Sequence, residues 1–527
     1  MNRRVFLFAT LALAVLLVSG LALLIAVKPA PSPLPDPGPT RTPSPNHLLE
    51  DGEAYEADKP ACDGSLQSLV ELASPGSVVV APGGCVYRET VVVDKPLTLE
   101  AAPGAEIRGS DIWTGWEKRG DYWLKGTLPS FFAGDGVKCT PGTERCMWPE
   151  QVFLDGKPLV QVASDPQSGQ FAVDSERNVV LADDPSGHTV EVSVRRQWVA
   201  ARADNVSIRG FTMRHAANAR GLGAITNRHD GGLNYHSGWT IENNTLSDAH
   251  AAVVVLKGKD NKLIGNDISR GGQLGVHGTG RRILVQGNRI HDNNTEDFDP
   301  FWEAGGMKWA FNVIKLTVDN NEIFNNRGVG VWCDIECMHL TYSDNRVHHN
   351  SLAGLHLEMS SGAKIFGNVV WENGWDDPSR SWNPGIKLAS SSSAEVYANT
   401  VAWNASGISV INAPRERARW NAVKDVYVHD NFIFCAEDRP SLSWIQADGW
   451  MGGTLADRAA NNRGANNEYW YSSPEGSVDR FRWTTNRLRT LVEFNATPGE
   501  DGGRYLDEAQ KERIASSAGI PSSPEPH

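Results

Sequence analysis

The chain has no basic excess. Lys and Arg number 50 against 63 Asp and Glu, a formal charge of -13 at pH 7. That argues against nucleic acid and anionic lipid surfaces as partners, because both need a basic footprint. It argues less firmly against polyanionic substrates, since an acidic chain can still carry a local basic patch. No Cys and His spacing suggests zinc, and the reading calls for no metal and no cofactor. A regular leucine scaffold is missing, which sets leucine-rich solenoids aside, and so is the longer four-strand unit of a propeller. The length, 527 residues, is too great for one ordinary compact core and suggests several domains or one elongated repeat array.

What is present begins at the N-terminus. Arg3 and Arg4 precede an apolar run from Val5 to Val27. At ~1.5 Å per residue this run spans a bilayer core, and it exceeds the roughly 7–15 apolar residues of a cleaved signal peptide. There is no clear Ala-x-Ala site and no Cys near its end. Residues 1–28 therefore read as an uncleaved signal anchor, a transmembrane helix whose Arg3 and Arg4 stay inside. A cleaved peptide is the alternative. Both place the body outside the cytoplasm, anchored at the cell surface or secreted. Residues 29–46, rich in Pro, Ser and Thr, form an extended linker. An oxidising compartment permits disulfides. Cys62–Cys85 and Cys139–Cys146 pair by proximity, and seven cysteines leave at least one thiol over.

Residues 47–112 read as an N-terminal cap and first coils, with a short amphipathic helix over Ser65–Ala73 and strands at Ser77–Val80, Thr90–Val93 and Leu97–Leu99. Residues 113–200 alternate less regularly and read as an antiparallel β insertion. A repeat occupies 201–440. Asn followed two residues on by an aliphatic residue recurs at Asn244, Asn266, Asn288, Asn321, Asn345, Asn368, Asn399 and Asn431, in steps of 22, 22, 33, 24, 23, 31 and 32. A base period of 22 to 24 means a solenoid, and longer steps place loops on one face. After Asn431 the repeat fades. Residues 441–527 read as a C-terminal coil and cap, with a closing strand over Leu488–Phe494 and a helix over Tyr505–Ile520. The fold class is all-β, a single-stranded right-handed parallel β-helix.

A second register carries the chemistry. It starts at Gly in Gly306-Met307-Lys308-Trp309, Gly330-Val331-Trp332-Cys333-Asp334, Gly354-Leu355-His356-Leu357-Glu358 and Gly385-Ile386-Lys387-Leu388. Strand side chains alternate. Met307, Trp309, Val331, Cys333, Leu355, Leu357, Ile386 and Leu388 face inward, and Lys308, Trp332, Asp334, His356, Glu358 and Lys387 face outward. Asp334 and Glu358 each lie thirteen residues after their Asn, so they occupy adjacent rungs ~4.8 Å apart. Carboxylates that close suit a retaining glycosidase. The two long central loops, 296–305 and 374–384, carry Phe298, Phe301, Trp302, Trp375 and Trp382, aromatic walls suited to sugars. Read blandly, outward charges on a β-helix are a solvated face, and two neighbouring acids arise by chance or bind a cation. Lys308, Lys387 and His356 are singly unremarkable. Cys333 reads as a buried thiol, with a disulfide to Cys337 unsupported.

These residues resemble the β-helical β-xylosidases, a retaining glycoside hydrolase family. Val331-Trp332-Cys333-Asp334 is similar to the family's W-x-D strand, and Glu358-Met359-Ser360-Ser361-Gly362 to its E-V-x-x-G element. Glu303-Ala304-Gly305-Gly306-Met307-Lys308 resembles its E-M-A-A-I-K element only loosely. Gly109 to Trp116 and Phe171 to Ser193 are similar to N-terminal parts of β-helical glycosidases. Cys333 and Ile335-Glu336-Cys337 depart from the pattern. The resemblance implies Asp334 as nucleophile, Glu358 as general acid/base and a carbohydrate substrate. Lys308, Trp332, His356, Glu303, Lys387, Trp302, Trp375 and Trp382 are the substrate-binding candidates. Two other readings stay open: a polysaccharide lyase or epimerase acting on uronic acids with Lys308, His356 or Lys387 as base and cation, with or without Ca²⁺, and a non-catalytic carbohydrate-binding surface protein.

Overall fold

A computed structural model describes residues 59–228, 234–376, 381–413, 422–436, 439–447, 455–473 and 479–527. The expected anchor 1–28 and linker 29–46 lie outside the described residues. Among the described residues no helix is long and apolar enough to cross a membrane.

Short β-branched runs separated by turns cannot bury both faces alone, so they stack. Each coil places one strand in a 13-stranded parallel sheet and strands in a 24-stranded sheet that bends round two further faces. One turn of the solenoid runs through 329–334, 341–343 and 346–348, and the next through 355–358, 364–366 and 369–371. Partners are parallel and in register, as in Val331↔Leu355, Tyr342↔Ile365 and Val347↔Val370. Their inward side chains form one continuous apolar core.

Buried Asn side chains turn the corners. Asn244, Asn266, Asn288, Asn321, Asn345, Asn368, Asn399 and Asn431 each donate Nδ2 to the carboxamide oxygen of the next, the last to Asn467, at 2.9 Å throughout. The stack ends on Glu500, which accepts from Asn467 at 2.8 Å. The repeat thus extends past Asn431, where it was expected to fade. Five residues after its counterpart in the first row runs a second, unanticipated row: Asn293, Asn326, Asn350, Asn373 and Asn404, spaced 2.8–2.9 Å. Such stacks satisfy backbone groups that the bends would otherwise bury unpaired.

Leu66–Leu72 is the capping helix, with Ser65 as its N-cap. Strands between residues 110 and 193 form two small, mostly antiparallel sheets over an apolar cluster of their own. At the other end Leu488 closes a strand, and Leu491–Asn495 is a short helix with a Thr490 capping box rather than the expected strand. Glu508–Ala518 is helical. Disulfides join Cys62 to Cys85 and Cys139 to Cys146, leaving Cys435 as a buried thiol. Cys333 is not a thiol: it is bonded to Cys337. Ile335 and Glu336 both take left-handed backbone angles, φ 57° and 63°, and so turn the chain back inward within four residues.

Candidate active site

The outward-facing rows on the sheet that contains 329–334 define the site. One row passes through His277, Lys308, Trp332, His356 and Lys387. The parallel row two residues on passes through Lys257, Thr279, Ala310, Asp334, Glu358 and Ala389, with Lys257 opposite Thr279 and Asp334 opposite Glu358. The carboxylates therefore occupy neighbouring rungs, with small Ala310 and Ala389 on the rungs before and after.

Both carboxylates are less than a tenth exposed. Lys308 Nζ lies 3.2 Å from Asp334 Oδ2, donates to the Trp302 carbonyl at 2.6 Å and sits 3.4 Å from the Trp332 ring centroid. His356 stacks on Trp332 at 5.0 Å, and its Nε2 is 3.7 Å from Glu358 Oε2. Asp334 is thus half of an ion pair, whereas Glu358 faces an imidazole that is charged only when protonated. Cys333 and Cys337 bracket Asp334 on the chain, so the disulfide closes the turn that carries it.

The walls differ from expectation. Glu303 is tied to Arg220, which donates to it at 2.6 Å, and lies 3.5 Å from His277. It braces the wall rather than meeting Asp334 directly. Trp302 carries Arg220 at 4.2 Å and Lys138 at 5.0 Å from its ring, and Phe298 is wholly buried. Trp375 is committed elsewhere: it donates to the Trp403 carbonyl, stacks on His527 at 3.9 Å and carries Arg439 at 4.7 Å. Its ring is not offered to a ligand. Trp382 remains open, with Lys387 5.6 Å from its centroid.

Phe301 and Trp382 keep the exposure expected of wall residues, and Phe132 and Phe311, not among those expected, are exposed as well. Among the described residues the exposed Phe and Trp side chains are Phe132, Phe301, Phe311 and Trp382. Phe301 precedes Trp302, Phe311 follows Ala310, and Phe132 precedes Ala133, whose carbonyl accepts from Arg220 N at 2.8 Å. Of the four, Trp382 lies against Lys387 of the outward row. The insertion helps to build this wall. Cys139 pairs with Phe298, and Arg145 bridges Glu296 at 2.8 Å and Asp297 at 3.1 Å. His277 was also missed, although Gly275-Val276-His277-Gly278 continues the Gly-led register one coil upstream. Among the described residues no cluster of His, Cys, Asp and Glu could hold a metal ion.

Comparison with known proteins bears on the fold. The model described as "Right handed beta helix region" matches residues 232–401. No curated protein matches the sequence. A solved structure, XylC in complex with xylose, superposes with a TM-score of 0.60 at 16% identity, covering 79% of this chain and 82% of that one. The A-module of the Azotobacter vinelandii mannuronan C-5 epimerase AlgE4 gives 0.46 at 10% identity, over 83% and 94%. A structure described as a glycoside hydrolase gives 0.39 at 9%, over 83% and 91%. With the in-register coils and the Asn stacks, the family match over 232–401 and the XylC superposition make the chain a right-handed parallel β-helix repeat protein.

Proposed function

We propose that this is an extracytoplasmic, carbohydrate-active enzyme, a retaining glycoside hydrolase held at the membrane by its N-terminal segment. The observation that carries the reading is the carboxylate pair. Asp334 and Glu358 stand on adjacent rungs, each less than a tenth exposed, in a face that also carries Trp332 and His356. Aromatic faces and a small-residue floor suit sugar rings, and the solved structure with xylose bound shares the fold.

In this mechanism Asp334 attacks the anomeric carbon as Glu358 gives its proton to the departing glycosidic oxygen. A glycosyl ester forms on Asp334 and the aglycone leaves with the proton. Glu358, now a carboxylate, takes a proton from water, whose oxygen attacks the same carbon and frees Asp334. Lys308 holds Asp334 in place through its ion pair and its bond to the Trp302 carbonyl, and His356 positions Glu358.

The test is product analysis of the full chain on aryl glycosides and polysaccharides, with azide added to a Glu358→Ala variant. A glycosyl azide of retained configuration is expected, and Asp334→Ala should release no product. Turnover untouched by either change would sink the reading. Lys308 beside Asp334 favours a second reading, β-elimination or epimerisation of a uronic acid. Unsaturated uronates, which absorb in the far ultraviolet, appearing from a polysaccharide substrate would reveal elimination, since hydrolysis makes none.

A further inference from the structure

The acidic chain concentrates cations at one end of this face. Lys257 lies in the same outward row as Asp334, three rungs upstream, roughly 14 Å at ~4.8 Å per rung. Its Nζ is 4.9 Å from the Tyr235 ring centroid, and the Arg228 guanidinium is 5.0 Å from the same ring. Among the described residues neither is in an ion pair. Lys138 and Arg220 flank Trp302 on the adjoining wall, and Lys308 follows. Among the described residues only Glu303 and Asp334 form ion pairs with these cations, at Arg220 and Lys308. The half-buried His277 between them registers the excess. Its pKa is pushed down to about 4, first by burial and then by Lys257, Lys308 and Arg220 against the opposing pull of Glu303. It is therefore a neutral imidazole at pH 7. Downstream of the pair the same row turns apolar, through Ala389, Ile411 and Ile445. This face is thus electrostatically polarised along the axis of the coils.

We infer that Arg228, Tyr235 and Lys257 form a subsite for an anionic sugar residue, so that the substrate is an acidic glycan bearing uronate or sulfate ester groups. This rests on the placement of the active site at Asp334 and Glu358. Two open cations fixed on one aromatic ring present several donors to one anion without a competing carboxylate. Three rungs from Asp334, the bound group belongs to a different sugar residue from the one cleaved. Thr279 and Ala310 keep the intervening floor low enough for a chain to pass.

Calorimetric binding to the full chain tests this with three hexasaccharide probes: neutral xylohexaose, hexagalacturonate and a sulfated carrageenan fragment. At low ionic strength at least one anionic probe should bind about tenfold or more tighter than xylohexaose. Near 1 M salt, where the Debye length is about 3 Å, the preference should vanish. Which anionic probe wins distinguishes uronate from sulfate. Lys257→Gln with Arg228→Gln should lower both to the affinity of the neutral chain, and Lys262→Gln, exposed on the neighbouring face, should change nothing. Equal binding of all three probes, or a preference that survives the double change, overturns the subsite. Charge preference without turnover of any probe would instead sink the glycosidase reading and leave the subsite standing, and turnover without charge preference would do the reverse.

Discussion

The inside and the outside of each coil are both stacked rows, and they behave oppositely. At the Asn corner every rung repeats the same side chain and the same 2.9 Å bond. On the carboxylate face neighbouring rungs differ: His277, Lys308, Trp332, His356 and Lys387 in one row, and Thr279, Ala310, Asp334, Glu358 and Ala389 in the next. A repeat gains stability from sameness, because each Asn satisfies the next. It gains chemistry from difference, because a site needs distinct groups at fixed spacing. Change inside the stack should therefore cost folding, and change outside should cost turnover.

The largest break is expected at the acids. Glu358→Gln should lower turnover roughly 10²–10⁴-fold, the usual range for a lost general acid/base, and Asp334→Asn should do at least as much. Glu358→Gln should not shift the melting temperature appreciably, whereas Asp334→Asn leaves the buried Lys308 without its carboxylate and should lower it, as thermal unfolding beside the activity assay would show. Asn345 sits in the same coil and supplies the mirror case. It donates to Val318 O and Asn368 Oδ1 at 2.9 Å and accepts from Asn321 N and Nδ2 at 3.0 and 2.9 Å. Asn345→Leu leaves these groups unpaired, at about 1–3 kcal/mol each. The urea midpoint should fall sharply, while folded protein keeps most of its turnover.

The disulfide joins the two regions. Cys333 faces the core, and its bond to Cys337 closes the turn that presents Asp334. Cys333→Ala with Cys337→Ala should lower kcat about tenfold with KM nearly constant, since a small misplacement of a reacting group is costly. A change in KM alone would show that the bridge shapes substrate binding instead.

The stacked Asn row and the Asp334/Glu358 register were legible because a period near 22 and a strand alternation leave direct marks in the sequence. The second Asn row carried the same mark at a constant offset of five and went unread. The Cys333–Cys337 bond was not legible. Its turn is made by Ile335 and Glu336 in left-handed conformations, which a β-branched residue rarely adopts, and no Gly announces it. Trp375 was misjudged for a different reason. Loop composition names aromatic residues but not what covers them, and here His527 and Arg439, remote in sequence, take its ring. Phe132 escaped because only the fold brings the insertion beside Arg220.

The smallest expected effect lies where the interior row stops repeating. Glu500 stands where a tenth Asn would, accepting from Asn467 N and Nδ2 and from the Tyr469 hydroxyl. Burial pushes its pKa up to about 7 against the opposing pull of these bonds. A raised carboxyl favours the protonated folded state. Its contribution is fully present below the unfolded value of about 4.5 and is lost as pH rises through about 7. The urea midpoint should therefore decline between about pH 5 and pH 8. Glu500→Gln keeps the neutral shape of the protonated acid, so it should flatten that decline while leaving turnover by Asp334 and Glu358 unchanged. An identical slope in the variant would show that Glu500 titrates no differently folded and unfolded, and that the stack closes as well on a carboxylate as on an amide.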